Sequence, residues 1–230
     1  MLKQLIEKWT TSSLFDALRK VNQEAKAIWL HRSGVRRAKS LKPPFKLHMG
    51  CGPNVKRGWI NIDLNQASDI QLDLREPLPF PNDSATIVYS EHFLEHLSFE
   101  EGKRLLREAL RVLVPGGVIS MGVPNAANIC QMYMSGDREE WERVRKLYHP
   151  EWCSTPMHSV NFFFRQDGEH KYAYDFETLA GALKDCGFVD IRQRDWDAML
   201  DLESRREGTL YVDAKKPGTG TMPMAEPRRS

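Results

Sequence analysis

The sequence predicts an α/β fold, a doubly wound and mainly parallel sheet of seven strands, and three observations carry that prediction. Ala85-Thr86-Ile87-Val88-Tyr89-Ser90 is an apolar, β-branched run of the kind that fills a central parallel strand covered on both faces. A helix with its own start signal follows. Ser98 and Glu101 stand three apart as a capping box, and Leu105, Leu106, Ala109, Leu110 and Leu113 share one face until Pro115-Gly116-Gly117 ends it. The third observation is the stretch from Lys46 to Leu64: a short strand, a Gly50-Cys51-Gly52 turn, then a second strand that closes on the acid Asp63.

Taken in order, the chain divides at Pro43-Pro44. From Ser12 or Ser13, either of which can cap a helix, Leu14, Leu18, Val21, Ala25 and Ile28 recur at three-to-four spacing, with Phe15 and Trp29 widening the stripe. This helix is expected to end near Gly34 and to pass into a basic linker carrying Arg36, Arg37, Lys39 and Lys42. Residues 1–44 are thus a basic helical extension, and residues 45–216 form the main domain. Its first five strands are expected at Phe45 to Met49, Trp59 to Leu64, Ile70 to Leu74, Ala85 to Ser90 and Val118 to Val123. Only Pro53 to Gly58 separate the glycine turn from the second strand, too few for the helix that normally crosses between parallel strands. The first crossover is therefore shortened, and the N-terminal helix is expected to cover the sheet face left bare.

From 124 to 172 the pattern breaks up, apart from a charged helical segment at Asp137 to Leu147, and a stretch of that length predicts a lid. Asp175 can cap a helix over Phe176–Cys186, which Gly187 stops. Phe188 to Arg194 and Gly208 to Ala214 supply the last two strands, joined by a tight charged connection. The tail 217–230, rich in Gly, Thr, Pro and Met, is expected to be disordered.

A length of 230 residues with 41% hydrophobic content suits one domain with extensions. No run approaches the roughly 18 apolar residues of a membrane span, and no signal peptide is expected. Cys51, Cys130, Cys153 and Cys186 form no CxxC pair, so reduced thiols in a cytoplasm are expected. The net charge of +2 hides an asymmetry. Residues 1–46 hold 11 Lys+Arg against 3 acids, whereas the remainder holds 22 against 28. A basic arm on an acidic body suggests an anionic partner surface, so a peripheral contact of the N-terminal helix with the inner membrane surface stands beside its simpler packing role. No nucleic-acid partner is expected.

The Gly50-x-Gly52 turn, Asp63, Asp73, Glu91 and Pro115-Gly116-Gly117 together resemble the class I S-adenosylmethionine-dependent methyltransferases. The chain is most similar to the small predicted methyltransferases found among glycan and cell-surface biosynthesis genes. The resemblance runs from about Lys46 to Lys215. It implies a Rossmann-like sheet, S-adenosylmethionine as cofactor, methyl transfer as the activity and a sugar or glycan intermediate as acceptor. It also implies that Gly50, Cys51 and Gly52 pass beneath the methionine part of the cofactor and that Asp63, with Leu64 beside it, holds the ribose hydroxyls. Asp73 and the Leu74 backbone N–H are implied to take the adenine, and Ser90 and Glu91 to line the methyl-donor end. His48 stands where the family commonly places an acid. Lys56 or Arg57 is expected to supply the positive charge that a full first helix would offer.

Methyl transfer is an in-line displacement at carbon, so much of the catalysis is holding the acceptor against the methyl group. An alcohol acceptor additionally needs a base. The catalytic candidates are His92, just after the fourth strand, and His170, which opens His-Lys-Tyr-Ala-Tyr-Asp, similar to a motif after the lid in the glycan-associated group. His149 and His158 are further base candidates. Glu95 and His96 are read as structural partners of the following loop. His149, Cys153 and His158 fit no compact zinc spacing, so no metal site is expected. Two rival readings stand: a methyltransferase for an apolar acceptor such as a quinone, lipid or secondary metabolite, and a cofactor-binding module without turnover. An aromatic lid suits the first, and His48 with the missing first helix favours the second. A glycan site should instead present Asp, Glu, Asn and Arg beside one or two stacking rings.

Overall fold

The computed structural model describes residues 12–219, the side chains of Ser12 and Ser13 excepted. The expected serine cap, the first part of the basic arm and most of the expected tail lie outside the described residues. Seven strands form one mixed, mostly parallel sheet in the order β3-β2-β1-β4-β5-β7-β6. They are β1 Phe45–Met49, β2 Ile60–Asp63, β3 Ile70–Gln71, β4 Ala85–Glu91, β5 Leu113–Pro124, β6 Val189–Arg194 and β7 Thr209–Lys215. Strands β1 to β5 run parallel, while β7 runs antiparallel between β5 and β6. The order reverses between β1 and β4, so the carboxyl ends of those two strands flank a switch point, where open α/β sheets bind ligands.

No helix lies between β1 and β2; residues 50–59 are turns, as their small number requires. Helix α1, Ser12–Ala38, packs against the edge strand β3. It does not end at Gly34. A Cβ on Gly34 would stand 2.1 Å from the Gln71 carbonyl oxygen, so the glycine is what lets α1 run close over β3 and continue one more turn. The buried face of α1 is Ala27, Leu30, Gly34 and Ala38. The expected apolar stripe is on the other side: Leu18 is 51% exposed, Val21 66% and Trp29 67%. The small residues win the packing because only they allow the helix this near to the strand.

Helix α2, Phe99–Val112, starts with the expected capping box: the Ser98 hydroxyl accepts from the Glu101 N–H and the Glu101 carboxylate from the Ser98 N–H. Its Leu105, Leu106, Ala109 and Val112 join Leu47, Met49, Val88, Ile119 and Val212 in the core. Residues 124–172 are more regular than their sequence predicts. They contain α3 Ala126–Ser135, α4 Arg138–Tyr148 and α5 Pro156–Arg165, each with a side-chain cap, from Asn125, Asp137 and Thr155. Buried Ser159 pins α4 to α5, accepting from the Trp141 indole N–H at 3.0 Å and standing 2.8 Å from His149 Nδ1. Helix α6, Phe176–Cys186, carries the expected Asp175 cap and ends at Gly187. The β6–β7 connection is not tight but a long loop over 195–208. Among the described residues no helix is long and apolar enough to cross a membrane.

Candidate active site

The first half of the site is the turn after β1. Gly50 and Gly52 adopt left-handed backbone conformations, φ 65° and 52°. Their reasons differ. A Cβ at Gly50 would stand 2.1 Å from the Phe93 ring, so Phe93 excludes any side chain there, whereas a Cβ at Gly52 would meet nothing within 4 Å. The open side of this turn is therefore at Gly52. The Asp63 carboxylate closes the same turn: Oδ2 accepts from the Gly52 N–H at 2.9 Å and Oδ1 from the Asn65 N–H at 2.8 Å. Each oxygen keeps a second lone pair, and the side chain is only half-buried. Cys51 is buried, and its thiol, pushed up to about 12 by burial and then by Asp63, stays protonated.

His48, in place of an acid, is buried beside Asn61 Oδ1 at 3.1 Å, and burial lowers its pKa to about 4, so the ring is neutral. Lys56 is not available as a free positive charge. Its ammonium donates to the Leu200 carbonyl and lies 4.6 Å from the centre of the Tyr89 ring, and burial lowers its pKa.

Asp73 follows β3, and where an adenine amino group was expected it meets Arg75. Its carboxylate accepts from the Arg75 backbone N–H at 3.0 Å and from Nε and Nη2 at 2.7 to 3.1 Å. Arg75 also donates to Glu24 on α1 at 2.7 and 3.0 Å, and the Asp73 N–H donates to His31 Nδ1 on the same helix. Burial alone would raise the Asp73 carboxyl, but the Arg75 hydrogen bonds outweigh it and hold the group below its ordinary value. Leu74 next to it is buried in the core.

Ser90 is buried within the sheet, between Met49 of β1 and Met121 of β5. Glu91 ends β4 but turns toward β7. Its Oε1 accepts from the Leu202 N–H and the Tyr211 hydroxyl, both at 3.2 Å, while Arg205 donates to the Glu91 carbonyl at 2.9 Å. It ties the 195–208 loop to the sheet. Burial raises its carboxyl, and Arg205 pulls it partly back. His92 sits at φ 52° with Nε2 2.8 Å from the Thr209 hydroxyl, and burial lowers its pKa to about 3.

The second half of the site is a cavity of about 720 Å³ at the carboxyl ends of β4 and β5, roofed by α3, α4 and α5. His92, Glu95, His96 and His170 line its floor. Asn125, Asn128, Gln131, Arg143 and Arg205 line its walls with the rings of Tyr148, Phe162 and Phe163. His170 arrives from beyond the lid because the Lys171 and Tyr172 N–H groups both donate to the Glu95 carbonyl. Its Nδ1 donates to the Phe163 carbonyl at 2.6 Å, which leaves the lone pair on Nε2. Burial lowers the His170 pKa.

Glu95 is buried, and neither carboxylate oxygen has a hydrogen-bond partner among the described residues. His92 Nδ1 is 3.8 Å from Oε1. Burial pushes the Glu95 carboxyl up to about 8 against the downward pull of its own backbone N–H. A loop-anchoring residue would have partners, so the expectation that Glu95 is structural fails at its side chain. His149 lines the cavity wall, and His158 instead pairs with Ser154 at 3.2 Å. The residues that sequence reasoning did not single out, Asn125, Arg143 and Arg205, come from a helix cap, a lid helix and a loop, none of which carries a motif.

Residues 47–121 match the model of a family described as a methyltransferase domain, which spans the glycine turn, Asp63, Asp73 and the start of the cavity floor. No curated protein matches the sequence. Among solved structures, a S-adenosylmethionine-dependent methyltransferase from Archaeoglobus fulgidus is 19% identical, covering 84% of this chain and 94% of that one, with a TM-score of 0.49. A protein of Bordetella parapertussis described as a possible exported protein is 16% identical over 82% of this chain and 67% of that one, also at 0.49. A structure from Haloferax volcanii, a methyltransferase in complex with its Trm112 activator, is 15% identical over 86% of this chain and 94% of that one, at 0.48. With all three scores below one half, function rests on the family match over residues 47–121 and on the site itself. The match covers 75 of the chain's 230 residues and marks that stretch as similar to a methyltransferase domain.

Proposed function

We propose that this chain is a S-adenosylmethionine-dependent methyltransferase and that it methylates a hydroxyl group of a polar acceptor, a sugar or glycan intermediate, bound in the cavity under the lid. The observation that carries the reading is the cavity lining: amides and guanidinium groups of Asn125, Asn128, Gln131, Arg143 and Arg205 beside three aromatic rings. That is the mixture a sugar needs, donors and acceptors for hydroxyls with rings for its apolar face, and a quinone or lipid would give the Asn128 and Gln131 amides no partner.

In this reading the Asp63 carboxylate, already oriented by two backbone N–H groups, holds the ribose hydroxyls of S-adenosylmethionine. Gly52 leaves room for the methionine part, and the backbone at Leu64, Leu74 and Ser90 borders the same edge. Bound S-adenosylmethionine supplies a methyl group on a sulfonium. Asp73 we assign to anchoring α1 through Arg75 rather than to the adenine, and Glu91 to holding the 195–208 loop. His170 presents its Nε2 lone pair to the cavity and activates the acceptor hydroxyl, with neutral His92 beside it. The lid helices exclude water, and the ion pair between Arg143 of α4 and Glu207 of the loop, at 2.7 Å, latches them over the cavity.

The test is a radiolabel transfer assay with S-adenosylmethionine and a panel of sugar nucleotides, free glycans, quinones and phospholipids. Transfer to a sugar-bearing acceptor is expected. Transfer confined to quinones or lipids overturns the acceptor assignment.

A further inference from the structure

We infer that Glu95, His96 and His170 form a binding site for a divalent first-row transition metal ion on the floor of the acceptor cavity. Among the described residues, the ligand atoms these three side chains offer all lie within 4.8 Å of one another. Ligands held about 2.1 Å from one ion stand roughly 3–3.5 Å apart, so a modest closure brings the three onto a common centre.

Three further features point the same way. The Glu95 carboxylate is buried, aimed at this cluster, and without a hydrogen-bond donor on either oxygen among the described residues. An uncompensated buried carboxylate is costly, and a cation is one of the few things that removes the cost. Both imidazoles are also oriented as metal ligands are. His96 Nδ1 donates to the Glu169 carbonyl at 3.1 Å and His170 Nδ1 to the Phe163 carbonyl at 2.6 Å. A carbonyl can only accept, so each Nδ1 carries the hydrogen and each Nε2 is left with its lone pair. Finally, the three groups lie on one side of a cavity of about 720 Å³, which leaves the remaining coordination positions open to a ligand. One carboxylate and two imidazoles suit zinc, manganese or iron better than magnesium or calcium, whose sites are built from oxygen alone.

The sequence hides this site because Glu95-His96 and His170 are 74 positions apart and are brought together by the Lys171 and Tyr172 N–H bonds to the Glu95 carbonyl and by the His96 bond to the Glu169 carbonyl. The inference rests on the proposed function for its purpose: the open positions would take hydroxyl oxygens of the acceptor, and the ion would lower the pKa of the one to be methylated. With its Nε2 lone pair on the ion, His170 acts on the hydroxyl through the ion rather than by taking the proton itself, and the ion-bound hydroxyl gives its proton to water.

The test titrates zinc chloride and, separately, manganese chloride into full-length protein stripped with a chelator, followed by calorimetry and by melting temperature. About one equivalent is expected to bind, with a rise in melting temperature. Glu95→Gln and His96→Ala should weaken binding about a hundredfold or more, since losing even an outer partner of a metal ligand costs tenfold to a hundredfold. His149→Ala, on the wall of the same cavity, should bind as the wild type does. His96 is partly exposed, so its variant separates loss of a ligand from loss of the fold. Neither metal binding, or both variants binding undiminished, overturns the site. Metal binding without methyl transfer to any sugar acceptor leaves the site standing and overturns the proposed function. Methyl transfer that survives chelation in metal-free protein overturns the ion's role on the acceptor and leaves the proposed function standing.

Discussion

Asp73 and Glu95 are both buried carboxylates beyond the carboxyl ends of sheet strands, and their surroundings are opposite. Asp73 receives hydrogen bonds from the Arg75 backbone and guanidinium, which reaches on to Glu24 and so ties α1 to the sheet. Glu95 receives none among the described residues. The contrast separates two uses of a buried carboxyl group. A satisfied one holds elements together, and an unsatisfied one waits for something outside the chain. It also divides the molecule: the β1–β2–β3 half is largely paired within itself, with the open side of the glycine turn and the Asp63 lone pairs at its edge, and the β4–β5 half, under α3, α4 and α5, holds an open cavity.

The largest effect should come from the open half. His170→Ala is expected to lower the turnover rate about a hundredfold or more, the usual size of an acid–base contribution, with S-adenosylmethionine affinity unchanged by calorimetry. In the paired half, Asp63→Ala removes a charged acceptor worth roughly 1.5–3 kcal/mol. S-adenosylmethionine should bind about tenfold more weakly or worse, with the far-ultraviolet circular dichroism unchanged. Unaltered affinity would remove Asp63 from the cofactor site.

Stability should divide the two acids themselves. Arg75→Ala leaves buried Asp73 with the residue 75 backbone N–H but without the guanidinium, at a cost of about 1–3 kcal/mol, nearer the lower end because Arg75 is partly open to solvent. At roughly 2–4 °C per kcal/mol for a chain of this size, the melting temperature should fall by several degrees. Glu95→Gln breaks no ion pair and should not lower it; a fall equal to that of Arg75→Ala would erase the distinction drawn between the two carboxylates.

The Asp73 contribution is pH-dependent with a definite sign. Its folded pKa lies below the unfolded value near 3.9, so the stability it adds is present above that value and is lost as pH falls through the folded one. The difference in stability between wild type and Asp73→Asn should therefore shrink below about pH 4. A difference that stays constant down to pH 2 contradicts the pairing. The smallest effect is expected at Leu18→Asp, which should stay within about 0.5 kcal/mol because that side chain faces solvent.

Much of the paired half was legible in the sequence because it is local. Gly50, Gly52 and Asp63 lie within 14 positions, the absence of a first crossover helix follows from counting residues, and the Ser98 capping box and the Asp175 cap announce their own helices. The face of α1 was not legible. Periodicity locates an apolar stripe, but which face packs was decided by Gly34 against the Gln71 carbonyl, a contact between residues 37 positions apart. The direction of Glu91 was hidden for the same reason, since Tyr211 and Leu202 are distant in the chain. His92 and His170 were visible as residue types, whereas their convergence with Glu95 and His96 depends on how the segment after the lid clips back onto β4. The helices of the lid were missed because their buried residues are few, Ile129, Trp141 and Ser159, too sparse to make a period.

The claim that one half holds the cofactor and the other does the chemistry is tested most directly by one paired measurement. Methyl transfer to the acceptor found in the screen is followed for Asp63→Ala and His170→Ala as S-adenosylmethionine is raised to saturation. Asp63→Ala is predicted to recover close to the wild-type rate, because only binding was lost, while His170→Ala stays about a hundredfold down at every concentration. An Asp63→Ala rate that stays low at saturation, or a His170→Ala rate restored by more cofactor, would contradict the division.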